Sequence, residues 1–189
     1  MACAVSWIFL APAGQDAEAA RLVVRVHDTV NVGESEMFAA RREVAAILEE
    51  AGIEIEWRDC AVGCAEPPAL EEVLLRIARA PAGIPPASLG ASLVDLEQEA
   101  GVLATVYADR IAALAGRARV APGRLLGRAV AHEIGHLLLG TSRHAASGLM
   151  RAVWSEHELR RENAADWTWS SEEVKRLGRA RSVQLSAER

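Results

Sequence analysis

PGRLLGRAVAHEIGHLLLGTSRHAASGLM, Pro122 to Met150, is the stretch on which the fold turns. Leu125, Leu126, Val130, Ile134, Leu137 and Leu138 recur at spacings of one, three and four, the period of a helix apolar over a wide arc. A proline stands near its start and Gly140 closes it, so the pattern predicts a largely buried helix of about five turns. Gly127 and Gly135 lower helix propensity, and imply that this helix packs closely on a sheet. Three of the chain's five histidines, His132, His136 and His144, fall within thirteen residues of the stretch.

His132 and His136 are four apart, so both imidazoles leave one face of the helix a single turn apart. Two nitrogens so placed can reach one zinc ion at about 2.0–2.1 Å each. Glu133 is rotated about 100° from His132, where it need not ligate but can reach a metal-held water and take its proton. A catalytic zinc needs a third protein ligand and one open position. Gly140 lets the chain turn back and bring in His144. RENAAD, with Glu162 and Asp166 in E-x-x-x-D spacing, resembles the glutamate-zincin peptidases, and that resemblance implies Glu162 as a rival third ligand with Asp166 orienting a ligand histidine. The sequence favours His144.

Outward from the helix, the chain opens strand, helix, strand. RLVVRVHD (Arg21–Asp28) is β-branched with rough alternation. Between Glu34 and Gly52, Met37, Val44, Ile47, Leu48 and Ala51 fall at helical spacing. IEIEW (Ile53–Trp57) alternates apolar and acidic, and with its predecessors makes a parallel βαβ unit. EVLLRIA (Glu72–Ala78) is a third strand, Ala80–Ser88 an exposed Pro/Gly-rich loop, and SLGASLVD and GVLATVYADRI are two further strands across an acidic turn. An irregular stretch with Trp154, Trp167 and Trp169 follows Met150, and Ser170 with Glu173 forms a capping box for a last helix. The fold class is α/β of the α+β kind: a twisted mixed sheet of about four to five strands, two long helices of which the second carries H-E-x-x-H, and a small irregular C-terminal part.

HEIGHLLLGTSRH followed by Gly148-Leu149-Met150 resembles the zinc signature and Met-turn of the metzincin metallopeptidases, nearest to matrixins and archaemetzincins. The resemblance implies one catalytic zinc on His132, His136 and His144, Glu133 as general base, and Met150 beneath the metal. It covers Arg21 to about Trp169, although only the motif is specific. The spacing departs from the family's: glycine stands four residues after the second histidine rather than three, and the third histidine eight after it rather than six. A peptide or protein substrate would lie extended along an edge strand, with Val102, Leu103, Ala104, Thr105 and Val106 the first counterpart and SLGASLVD the second. A zinc-binding protein without activity is the rival in another class, and Glu133 speaks against it, because a structural site has no use for that carboxylate.

A net charge of −5 gives no reason to expect nucleic-acid binding, and no apolar run approaches the length of a membrane span. A monomer is the expectation. Residues 1–20 read as a signal peptide, with an apolar run to Ala13 and A-x-A sites at Ala11–Ala13 and Ala17–Ala19, leaving 21–189 as a single catalytic domain. The expected location is therefore secreted or periplasmic, in a bacterium. Cys60 and Cys64, four apart, then suggest a disulfide just after a strand.

Overall fold

The computed structural model describes residues 20–60, 64, 69, 72–98, 100–161 and 163–178. The elements run β1 (Ala20–Asp28), α1 (Glu34–Glu49), β2 (Ile53–Asp59), β3 (Glu72–Ala78), β4 (Gly90–Asp95), β5 (Ala100–Tyr107), α2 (Ala108–Ala118), α3 (Pro122–Leu139), α4 (Glu156–Arg161), a 3-10 turn at Ala164–Trp167 and a last helix, α5 (171–178). The signal-like segment and Glu162 lie outside the described residues. No helix among the described residues is long and apolar enough to cross a membrane.

The five strands form one mixed sheet in the order β2-β1-β3-β5-β4, parallel except for the antiparallel pair β4–β5. Alternation decides which face is covered. Val24, Val26, Val73, Leu75, Ile77, Ala104 and Val106 are buried beneath the helices, whereas Glu54, Arg58, Arg76, Ala91 and Leu93 are exposed on the other face. The buried Arg25–Glu72 ion pair belongs to that open face, where Arg58 also reaches Glu72.

Two expectations are corrected by this topology. The strand expected over Gly101–Ile111 stops at Tyr107 and becomes α2, because Ile111, Leu114, Ala115 and Ala118 make a helical stripe that is buried as one face. Val102–Val106 also do not form an edge. β5 is paired on both sides, with β3 and with β4, and the edge strand is β4.

Gly127 does not sit on the sheet either. A Cβ there would lie 2.6 Å from the Ala40 carbonyl oxygen and 2.6 Å from the Glu43 Cβ, so the missing side chain is what lets α3 cross α1 closely. Beside that crossing, the buried Arg128 donates from Nε to Glu43 at 2.8 Å and stacks its guanidinium 4.0 Å over the Trp167 ring. The C-terminal part is tied to the helices in the same way. Trp169 Nε1 donates to the Ile47 carbonyl at 2.8 Å, and Arg176 donates to the Leu139 carbonyl at the end of α3 at 2.7 Å. Ser170 and Glu173 exchange the two hydrogen bonds of a capping box at the start of α5. Cys60 and Cys64 are joined by a disulfide, their Cα atoms 5.4 Å apart.

Candidate metal centre

α3 packs buried against α1 and the sheet, and its last two turns carry His132, Glu133 and His136, all with little exposed surface. Gly140 then takes a left-handed conformation (φ 58°), the geometry that ends a helix and reverses the chain. His144 arrives from the far side of that turn. The ligand nitrogens of His132, His136 and His144 all lie within 4.8 Å of one another, with His144 exposed and the other two buried. The three rings surround a common point: their centroids are 4.8, 4.9 and 5.3 Å apart.

Hydrogen bonds fix which nitrogen of each buried ring faces that point. His132 Nδ1 lies 2.9 Å from the Leu149 carbonyl oxygen, and His136 Nδ1 lies 2.7 Å from that of Thr141. A carbonyl can only accept, so both Nδ1 atoms carry the proton. Burial lowers the pKa of His132 to about 4 and lowers that of His136, so both rings are neutral near pH 7 and each Nε2 presents a bare lone pair. Those two Nε2 atoms lie 3.1 Å apart. Two lone pairs facing each other at that distance repel unless a cation lies between them. The separation suits two ligands of one tetrahedral zinc, about 3.3 Å for bonds of 2.0–2.1 Å. The donor set therefore fits a metal, and the carbonyls behind it are the outer partners such ligands require.

Glu133 reaches the edge strand. Ser92 Oγ on β4 lies 2.6 Å from Glu133 Oε2 and 2.8 Å from the Glu133 backbone oxygen. Gly90, two residues earlier, leaves the space the carboxylate fills: a Cβ there would come within 2.6 Å of Oε1. Burial pushes the Glu133 carboxyl up to about 7, and the Ser92 hydrogen bond only partly opposes this.

Met150 lies beneath α3, fully buried. A Cβ on Gly135 would meet its Sδ at 2.7 Å and the Trp169 ring at 2.8 Å, so Gly135 makes room for the methionine and the tryptophan rather than for the sheet. The turn around Met150 is pinned by Ala145 N to Met150 O at 2.8 Å and Leu149 N to Thr168 O at 3.0 Å. That pinning sets the Leu149 carbonyl against His132. Trp154 stands edge-on to the His132 ring at 5.6 Å and to Trp167 at 5.2 Å.

Glu162, the rival third ligand, lies outside the described residues. Asp166 pairs with Arg161 at 2.8 Å, and the Nδ1 positions it was expected to orient are taken by main-chain carbonyls. Arg151 is engaged by Glu158 and by the Gly148 carbonyl at 3.1 Å. Ser92, Gly90 and the carbonyls of Leu149 and Thr141 are the partners that sequence reasoning missed. S-x-x-E spacing could also have shown the capping box of α4, Ser155 with Glu158, which holds the Glu158 carboxyl down at about 2.

No family model and no curated protein sequence matches the chain. Its coordinates match metalloproteinase-II from Bacteroides fragilis with a TM-score of 0.52, at 14% identity and over 89% of this chain. The likeness is one of fold. The chain spans 55% of that protein's length, so the likeness is one of the shared domain. The histidine cluster of this chain is consistent with the H-E-x-x-H…H pattern of metzincins.

Proposed function

We propose that the protein is a zinc-dependent endopeptidase, hydrolysing peptide bonds with Glu133 as general base. The observation that carries this reading is the pair of bare Nε2 atoms 3.1 Å apart, joined by His144 and flanked by a buried carboxyl on the next residue of the helix. Zinc bound there supplies an acidified water and a polarised carbonyl. His132, His136 and His144 hold the ion, and Glu133, poised near neutrality, accepts a proton and delivers it to the leaving amine. Glu133 also separates catalysis from a purely structural site, which fills all four positions with protein.

The substrate lies extended along β4. This strand pairs with β5 on one side and leaves its other backbone edge free among the described residues, beside Glu133. Ser92 and Gly90 on that strand bring the scissile bond and the base together. Export belongs to the same reading, supported by the signal-like start and by a disulfide suited to an oxidising compartment.

The test is cleavage of a generic protein substrate by the wild type and by Glu133→Gln, with zinc measured in both. Equal zinc with turnover lost only in the variant is expected. Zinc in both and turnover in neither would leave a binding protein.

A further inference from the structure

A cavity of about 700 Å³ opens beside the histidine cluster, bordered by His132, Glu133 and His144 on one side. Its opposite wall is α2, which presents Arg110, Leu114 and Arg117 at spacings of four and three, hence on one helix face. Three arginines line this space, and two of them are neutralised. Arg117 pairs with Glu156 at 3.2 Å, and Arg151 pairs with Glu158. Arg110 makes no hydrogen bond or ion pair among the described residues, and its Nε is shielded from solvent without an acceptor. The neighbouring Asp109 is turned to another task, accepting the Ala80 amide at 2.9 Å.

A guanidinium in that position has lost part of its hydration and gained no hydrogen-bonded counter-ion, the adjacent Asp109 acting on it only through space. Around it the cavity is apolar, with Leu89, Leu114, Val153 and Trp154 among its lining. A carboxylate entering the cavity would supply what the wall lacks, in the planar two-pronged geometry that guanidinium favours. Coulomb attraction there is stronger than in open water, because the apolar lining lowers the local dielectric.

We propose that this cavity is a carboxylate-selecting subsite with Arg110 as its specificity-determining residue, so that the peptidase takes peptides bearing an acidic group next to the bond it cleaves. This rests on the endopeptidase reading above for the cleavage, but not for the binding. The carboxylate has two sources, an Asp or Glu side chain or a free C-terminus.

Zinc-loaded Glu133→Gln binds without turning over, and its affinity for labelled peptides is read by fluorescence anisotropy. One peptide is varied through Glu, Gln and Lys at each position and offered with a free or an amidated C-terminus. Glu should bind about 10- to 100-fold more tightly than Gln at one position, the span of a charge-assisted hydrogen bond. A second substitution, Arg110→Glu, should reverse the order of Glu and Lys there, and Arg110→Gln should abolish it. If the side-chain arm is flat but the free C-terminus is preferred by the same factor, the C-terminus is the source and the subsite stands. Equal binding throughout, or no binding of any peptide, overturns the proposal. Cleavage by the wild type without acid preference also overturns it while sparing the endopeptidase reading. Acid-selective binding with no cleavage overturns only that reading.

Discussion

The Glu133 carboxyl offers a measurement of the site that needs no substrate. Burial against β4 lifts it from an ordinary 4.5 to about 7 in the metal-free protein. A carboxyl with a raised pKa binds its proton more tightly in the folded chain than in the unfolded one. Between pH 4.5 and 7 the native state therefore holds the extra proton, and stability falls as pH rises through that window. At 1.36 kcal/mol per pKa unit the loss by pH 8 approaches about 3 kcal/mol. Glu133→Gln cannot ionise, keeps an oxygen for the Ser92 hydroxyl, and fills nearly the same volume. Urea unfolding of chelator-treated wild type and variant should then show near-equal stability at pH 4.5 and a variant about 3 kcal/mol more stable at pH 8. His132, held down at about 4 by burial, titrates in both proteins and drops out of the difference. A difference that does not change with pH would refute the claim that this carboxyl is buried at the cost of its charge.

Other perturbations probe the parts around it. His144→Ala should weaken zinc binding by more than the 10- to 100-fold that loss of an outer partner costs, read by competition with a chelating dye; unchanged affinity would mean the third ligand lies elsewhere. Ser92→Ala removes the hydroxyl from Glu133 and should cost about 1–3 kcal/mol of stability while lowering kcat more than it raises KM; an unaltered kcat would deny Ser92 a role in positioning the base. Gly127→Ala should lower the melting temperature despite a helix-propensity gain of about 1 kcal/mol, since overpacking against Ala40 costs about 1–3 kcal/mol; a raised melting temperature would show that α1 and α3 have slack at their crossing.

The elements legible in the sequence were those whose signal is local. β1, α1, β2 and α3 each carry a complete period between clear stops, such as Gly52 and Gly140, and each formed where the period placed it. α2 was hidden because its apolar stripe begins at Ile111, inside a run whose first half, Val102–Tyr107, is a strand. The strand order was hidden for a different reason. Which of two adjacent hairpin strands becomes the edge depends on whether β3 pairs with β5 or β4, a contact between residues far apart in sequence, such as Leu75 and Ala104. At the site, His132, Glu133 and His136 were legible because helix geometry alone sets their relation. The groups that orient them were not, since a main-chain carbonyl has no residue type to betray it and Leu149 and Thr141 contribute only backbone oxygen.

Two residues separate this chain from the metzincin spacing, and their effect can be followed atom by atom. The longer turn after Gly140 does not hang loose. Thr141 donates its amide to the His136 carbonyl at 3.1 Å, and its own carbonyl sits 2.7 Å from His136 Nδ1. Its hydroxyl accepts the Arg143 amide at 3.2 Å, one residue before His144. The turn is therefore anchored at one end on the second histidine and stiffened at the other just ahead of the third. The residue after the helix-closing glycine also holds the His136 tautomer, so the longer turn orients one ligand while it brings in His144. One threonine thus works at both ends of the turn, its main chain on the His136 ring and its hydroxyl on the backbone that leads into His144.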